Sequence, residues 1–221
     1  MQFYDQLLQF PLFQGLSRNE LLEMAGNTKF GFMKLEPGKV LVRDGDPCEQ
    51  LYFLTNGELT IIRQSDDHAY SVAEQIHAPW LLQPETLFGP QTRHTLTAEA
   101  ATEVNLITLT KDEMLRLQND FLIIRLNMLN LLSALVQRRS HLSWRQAPQS
   151  LRERIIRFLL DHCIYPAGPK TFHILMTRLA DEVGDSRLDV SRELNTMQAT
   201  GLIALHRGRI EVPSIERLCQ S

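Results

Sequence analysis

Residues 179–203 read LADEVGDSRLDVSRELNTMQATGLI, and this stretch decides the architecture of the C-terminal third of the chain. Leu175 to Val183 and Ser186 to Ala199 both carry helical patterning with only Gly184-Asp185 between them, and two helices joined so tightly predict a helix-turn-helix. In the second helix Ser186 is placed to cap the first turn, while Val190, Leu194 and Met197, at steps of four and three, form an inward stripe. The opposite side is polar, with Arg187, Ser191 and Asn195 in one row and Leu188 and Arg192 beside them. Guanidinium, hydroxyl and amide groups so arranged can reach the base edges and phosphates of duplex DNA. Arg187, in the first turn, is the first candidate for bidentate pairing with guanine, and Arg192 is the second. Asp189 and Glu193 would repel phosphate if they pointed at it, so they are expected to turn aside and orient Arg192 or neighbouring chains.

Working outward, Leu202–Leu205 and Arg209–Val212, bridged by His206-Arg207-Gly208, predict a small hairpin or wing whose Arg207 and Arg209 lie nearest backbone phosphates. Upstream, Thr177 at the start of the first helix joins the DNA-binding set, and Pro166 to Lys170 reads as a turn. Ser150 precedes LRERIIRFLLDHC, a helix with Ile155, Ile156, Leu159 and Leu160 inside, and the break at Ala147-Pro148-Gln149-Ser150 puts a domain boundary near residue 146. Residues 145–221 hold 11 Lys and Arg against 9 Asp and Glu, a net of +2; out of totals of 23 and 26, the preceding residues carry 12 against 17, a net of −5. The C-terminal third is therefore the side that suits a polyanion.

Before the boundary, Leu117, Phe121, Ile124, Met128, Leu131 and Leu135 recur at alternating steps of four and three, the rhythm of a coiled-coil seam. Continuing it to Arg138 and Leu142 predicts one helix from Lys111 to Leu142, roughly 48 Å long at 1.5 Å per residue. A second stripe, Leu115, Leu122, Leu126, Leu129 and Val136, suits a helix packed on its own domain and on a partner at once; the alternative is one wide core stripe in a monomer. The first stripe is assigned here to a homodimer interface.

From Lys29 to Leu109 the texture is that of strands: Lys39–Val42, Gln50–Thr55, Glu58–Arg63, Tyr70–Ile76, Thr95–Ala100 and Glu103–Leu109. Asn56-Gly57, flanked by LYFLT and ELTII, predicts a two-residue hairpin, and the whole an antiparallel roll. Ser17-Arg18-Asn19-Glu20 marks a capping box opening a short helix before it. The fold class is thus α+β: a β-roll (jelly roll) over 1–110, a dimerisation helix over 111–145 and a winged helix-turn-helix over 146–221.

With 43% hydrophobic and 22% charged residues the chain can bury an ordinary core. Its apolar runs are too short or too interrupted to span a bilayer, and MQFYDQLLQF lacks a signal-peptide pattern, so a cytoplasmic protein without membrane contact is expected. Cys48, Cys163 and Cys219 form no CxxC pair and read as inert thiols, with no metal or other cofactor implied. Jelly rolls also build cupin enzymes, which begin their metal set with closely spaced histidines; no two of the seven histidines here stand two apart, so no enzyme is expected.

PLFQGLS, LEPGKVLVRDGDPCEQLYFLTNGELTI, the long helix, LADEVGDSRLDVSRELNTMQATGLI and RGRIEV together resemble the Crp/Fnr family of bacterial transcription regulators over essentially the whole chain. The resemblance implies a cyclic-nucleotide-binding-like sensor domain, a dimerising helix, recognition through Arg187 and Arg192 on an inverted-repeat operator, and RNA polymerase as a further partner. Leu188 stands where well-known members carry Glu; it cannot accept a hydrogen bond from cytosine but can touch a thymine methyl, so a different target sequence is expected. Cyclic-nucleotide binders of the family use a Gly-Glu pair before a short turn and an Arg-Ser pair after it. Here the stretch runs Gln83-Pro84-Glu85-Thr86-Leu87-Phe88 and then Arg93-His94-Thr95: the glycine is missing and Pro84 removes a backbone donor. Glu85, Arg93 and Thr95 remain as a changed effector pocket for an unidentified small molecule. A cyclic nucleotide, or haem held by His77, His94 or His141, are the alternatives.

Overall fold

The computed structural model describes residues 3–142, 144–165 and 167–218, Leu142 through its backbone alone; Pro166 and Cys219 lie outside them. In chain order the elements are α1 (Phe3–Leu7), α2 (Arg18–Asn27), β1 (Gly31–Leu35), β2 (Val40–Val42), β3 (Gln50–Asn56), β4 (Glu58–Gln64), β5 (Tyr70–His77), β6 (Trp80–Leu82), β7 (Thr97–Ala100), β8 (Val104–Thr110), α3 (Lys111–Asp120), α4 (Leu122–Leu142), α5 (Leu151–Asp161), β9 (Lys170–Ile174), α6 (Met176–Val183), α7 (Arg187–Ala199), β10 (Ala204–His206), β11 (Arg209–Val212) and α8 (Ile215–Leu218). They fall into two compact units: residues 1–59, 77–95 and 99–145, and residues 60–76, 96–98 and 146–221.

In the first unit β1, β8, β3 and β6 form one antiparallel sheet in that order. Phe10, Phe13 and Phe53 meet edge-on or tilted at its centre, with Leu7, Leu12, Met24, Leu51, Ile107 and Leu109 fully or almost fully buried around them. Asn56-Gly57 does not make the expected hairpin. β3 and β4 belong to different sheets, and Gly57 (φ +89°) turns the corner between them; a Cβ there would lie 2.3 Å from the Glu103 carbonyl oxygen. The positive φ was legible, but the partners of the flanking strands were not.

The single helix expected over 111–142 is also corrected. It breaks at Phe121, whose extended backbone (φ −123°, ψ 104°) separates α3 from α4 by a bend of 118°. Burial drives the break: Leu117 on α3 and Ile124 and Met128 on α4 all close the core of this unit, which one straight rod would not permit. Arg125 compensates by donating from Nε to the Gln118 carbonyl (2.8 Å) at the frayed end of α3. Asn127 donates to the carbonyls of Leu12 (3.1 Å) and Gln14 (2.8 Å), fastening the N-terminal segment to α4. Leu117, Ile124 and Met128 are therefore core residues rather than dimer contacts, with Phe121 and Leu131 packed against them; Leu135 is half-buried. Leu122, Leu126, Leu129 and Val136 of the second stripe stand 45–63% exposed. No single described helix is long and apolar enough to cross a membrane.

The second unit holds the strand order β10-β11-β9-β5-β4-β7 with α5, α6 and α7 around one apolar core. β9, a five-residue stretch missed in the sequence, pairs antiparallel with β11 on one side and with β5 on the other, Tyr70 opposite Ile174 through Glu74 opposite Lys170. That pairing draws residues 60–76 out of the body expected over 1–110. The break at 145/146 coincides with the Ala-Pro interruption.

Candidate nucleic-acid interface

Gly184 takes the left-handed conformation (φ +64°) that ends α6, its amide bonding back to the last turn, and after Asp185 and Ser186 the chain re-enters helix at α7. Ser186 caps α7, its hydroxyl accepting from the Asp189 amide at 3.1 Å. Val190, Leu194 and Met197 are fully buried, so the helix has one rotational setting and the opposite face must point away from the core. α5 fixes the pair from behind: Arg152 contacts Glu193 at 3.3 Å, and Arg154 pairs with Asp185.

On the outer face Arg187 is exposed and, among the described residues, makes no hydrogen bond or ion pair. It sits in the first helical turn beside Leu188, which is 60% exposed. Arg192 is exposed and contacted by Asp189 at 3.2 Å, Asp189 being itself exposed, while Glu193 contacts Arg152 of α5. Asn195 folds back, donating to the Ser191 carbonyl at 2.8 Å, and Ser191 is half-buried, so this pair is less available than Arg187. Thr177 is exposed at the start of α6.

The wing forms with His206 opposite Arg209, leaving Arg207 and Gly208 (φ +70°) as a two-residue tip. Arg207 is exposed. Arg209 is half-buried and bound to Glu211 at 3.1 Å, so the two arginines are not equivalent. Arg187 and Arg207, both exposed, thus lie on a helix start and a hairpin tip, the kinds of place where groove edges and phosphates are met.

Among the effector candidates, Glu85, Arg93 and Thr95 are exposed and no contact joins them among the described residues. Arg93 donates to the Gly45 carbonyl at 2.6 Å, and the Thr95 hydroxyl accepts from Gln83 at 2.7 Å. Gln83, held at φ +35°, also reaches the buried His94 ring at 3.2 Å. Burial lowers the His94 pKa, against a smaller opposing pull from Asp46. The Gln83 side chain thereby takes up both the Thr95 hydroxyl and the His94 ring. Cys48 and Cys163 are buried, and desolvation pushes the Cys48 thiol up. No group of three or more His, Cys, Asp or Glu suited to a metal occurs among the described residues.

Two family models match the chain: the cyclic nucleotide-binding domain over residues 32–121 and the Crp-like helix-turn-helix domain over residues 153–221. The global nitrogen regulator of Synechococcus elongatus is 26% identical over 214 residues, spanning 89% of this chain and 94% of that protein. The cyclic AMP receptor protein of Thermus thermophilus is 28% identical over 216 residues, spanning 91% and 92%. The crystal structure of the Thermus thermophilus catabolite activator protein shares the fold, with a TM-score of 0.53 at 23% identity over 96% of this chain and 97% of that one.

Proposed function

Because the chain belongs to the Crp/Fnr family of DNA-binding transcription regulators, matched at both its sensor and its helix-turn-helix segments, we propose that it reads an inverted-repeat operator as a homodimer. Arg187 reads the base edge, Leu188 and Arg192 flank it, and Thr177, Ser186 and Arg207 meet phosphates. The observation that carries this assignment is the unpartnered guanidinium of Arg187 in the first turn of a helix whose rotation is fixed by three fully buried side chains. Ser191, half-buried, Asn195, bonded back to its own helix, and Arg209, bound to Glu211, contribute less. The dimer contact runs along Leu122, Leu126, Leu129 and Val136, and RNA polymerase is the further partner on the promoter. The setting is cytoplasmic, and enzymatic chemistry forms no part of the reading. The sensor takes a small effector by a route other than the phosphate cradle of cyclic-nucleotide binders, because Pro84 lacks an amide and Gln83 fills the space before His94 and Thr95.

The test is a salt series on matched and mismatched duplexes selected from a random pool. Arg187→Ala is expected to cost about 1–3 kcal/mol on the matched site and to relax preference at one base pair per half-site. Arg207→Ala is expected to weaken all duplexes alike and to flatten the salt dependence by about one unit per lost contact. Equal losses on both duplexes for Arg187→Ala would place the recognition helix in another register.

A further inference from the structure

β1 is the outer strand of the first unit's sheet, and the face it shares with the core is left open there. Phe32 lies directly opposite Ile107, and Ile107 directly opposite Phe53, so the pleat puts all three side chains on one face. Ile107 and Phe53 are 2% and 0% exposed, whereas Phe32 is 70% exposed. The next row across the same face is Lys34, Asn105 and Asn56. β3 completes that row through an extra residue, Thr55, between Leu54 opposite Leu106 and Asn56 opposite Asn105, a bulge that re-aims the side chain beyond it. Between the two rows and Gln6 of α1 lies a cavity of about 260 Å³. At roughly 30 Å³ per water it has the room of about nine, enough for one ring with a short substituent.

The lining divides by chemistry. Its apolar part is Phe32 and Ile107, and Phe3 of α1 meets the Phe32 ring edge-on at 5.5 Å, which steadies that ring while it stays open to solvent. Its polar part is three side-chain amides, of Gln6, Asn56 and Asn105, which make no hydrogen bond among the described residues although Gln6 and Asn105 are half-buried. The Thr55 hydroxyl does not engage them; it donates to the Asn105 carbonyl at 3.0 Å. Each such amide sets an acceptor oxygen beside two donor hydrogens, the complement of another amide and not of an ion. Lys34, the charged residue of the lining, has its Nζ 2.9 Å from Glu103, so an anion would have to displace a carboxylate whereas a neutral molecule leaves the pair intact.

We propose that this cavity is a binding site for a small, neutral, planar molecule carrying a carboxamide or lactam group, its ring against Phe32 and Ile107 and its amide against Gln6, Asn56 and Asn105. Glu85, Arg93 and Thr95 take no part in the lining, and nothing in the site depends on DNA, so its failure would leave the DNA-binding reading where it stands. An apolar wall with a few convergent polar groups is the ordinary composition of a small-molecule site.

Benzamide would be titrated into the full-length chain and followed through the side-chain amide signals of Asn and Gln in ¹H–¹⁵N spectra, with benzoate, the same ring bearing a carboxylate, as the comparison. Benzamide is expected to shift a small set of these signals saturably, with a dissociation constant of about 1 mM or below, within reach of a ligand of about nine non-hydrogen atoms. Benzoate is expected to bind about ten-fold more weakly or worse. Phe32→Ala removes the exposed ring and Gln6→Ala one amide from outside the sheet; each is expected to weaken benzamide about five-fold or more, with far-UV melts showing that both variants fold. Absence of a saturable shift up to the solubility of benzamide overturns the site. Equal affinity for benzoate overturns the ligand class, and undiminished binding by both variants places the benzamide elsewhere and overturns the proposal.

Discussion

Replacing Leu126 and Leu129 together with Ala isolates the outer face of α4 from its inner one. The two side chains stand 45% and 54% exposed, and with Leu122, Ser133 and Val136 they keep the four-three rhythm along a face the protomer leaves open. Fully burying a leucine is worth about 1.5–3 kcal/mol, so covering the exposed half contributes roughly 1 kcal/mol per side chain. Two leucines from each of two subunits make that roughly 4 kcal/mol, or about a thousand-fold in the dimer dissociation constant. Sedimentation velocity over a dilution series reads this constant directly, and a far-UV melt at high dilution checks that the protomer still folds. Ile124→Ala is the control: it empties a fully buried position and is expected to lower folding stability by about 2–5 kcal/mol without altering the association of folded chains. A double variant whose dissociation constant stays within three-fold of the unsubstituted chain would refute the assignment of this face.

Acid should destabilise the first unit through His94. Burial holds its imidazole below the ordinary histidine value, so the unfolded chain takes up the proton first; the stability is present above the unfolded pKa of about 6.5 and is lost as pH falls through it toward the lower folded value. Thermal midpoints between pH 7.5 and 5.5 should fall less steeply for His94→Gln, and parallel curves would remove His94 from the account. Gly57→Ala should cost about 1–3 kcal/mol in urea titrations, because it combines φ +89° with a Cβ at 2.3 Å from the Glu103 oxygen. A loss below about half a kcal/mol would mean that the corner relaxes freely.

What could be read in the sequence was local. The pattern from Leu179 to Ile203 specifies cap, stripe and turn within 25 residues, and α6, Gly184 and α7 follow it closely. The features that escaped depend on distant partners. Lys170–Ile174 is too short to announce a strand and pairs with β5, about a hundred residues earlier. Asn56-Gly57 fixes a positive φ but not whether the two strands beside it will pair. The break at Phe121 has neither proline nor glycine; two buried faces, Leu117 and Ile124, impose it against local helix preference. Both apolar stripes of the long segment were visible, but period alone does not say which faces its own core. The effector set suffered similarly, since Gln83 in a left-handed turn takes up Thr95 and His94 by contacts that no spacing encodes.

The ties from Asn127 to Leu12 and Gln14, and the shared burial of Phe13 with Ile124 and Met128, set an order on biosynthesis. During synthesis the turns around Leu7 to Phe13 cannot close their core until α4 follows, more than a hundred residues later. At about 5–20 residues per second that is roughly 5–20 s in which Leu7, Phe10, Leu12 and Phe13 lack their covering helix. Any transcript truncated ahead of residue 124 yields a chain with this aromatic cluster uncovered. The nascent segment around Phe10 and Phe13 is therefore a natural client for chaperones that hold apolar segments during translation.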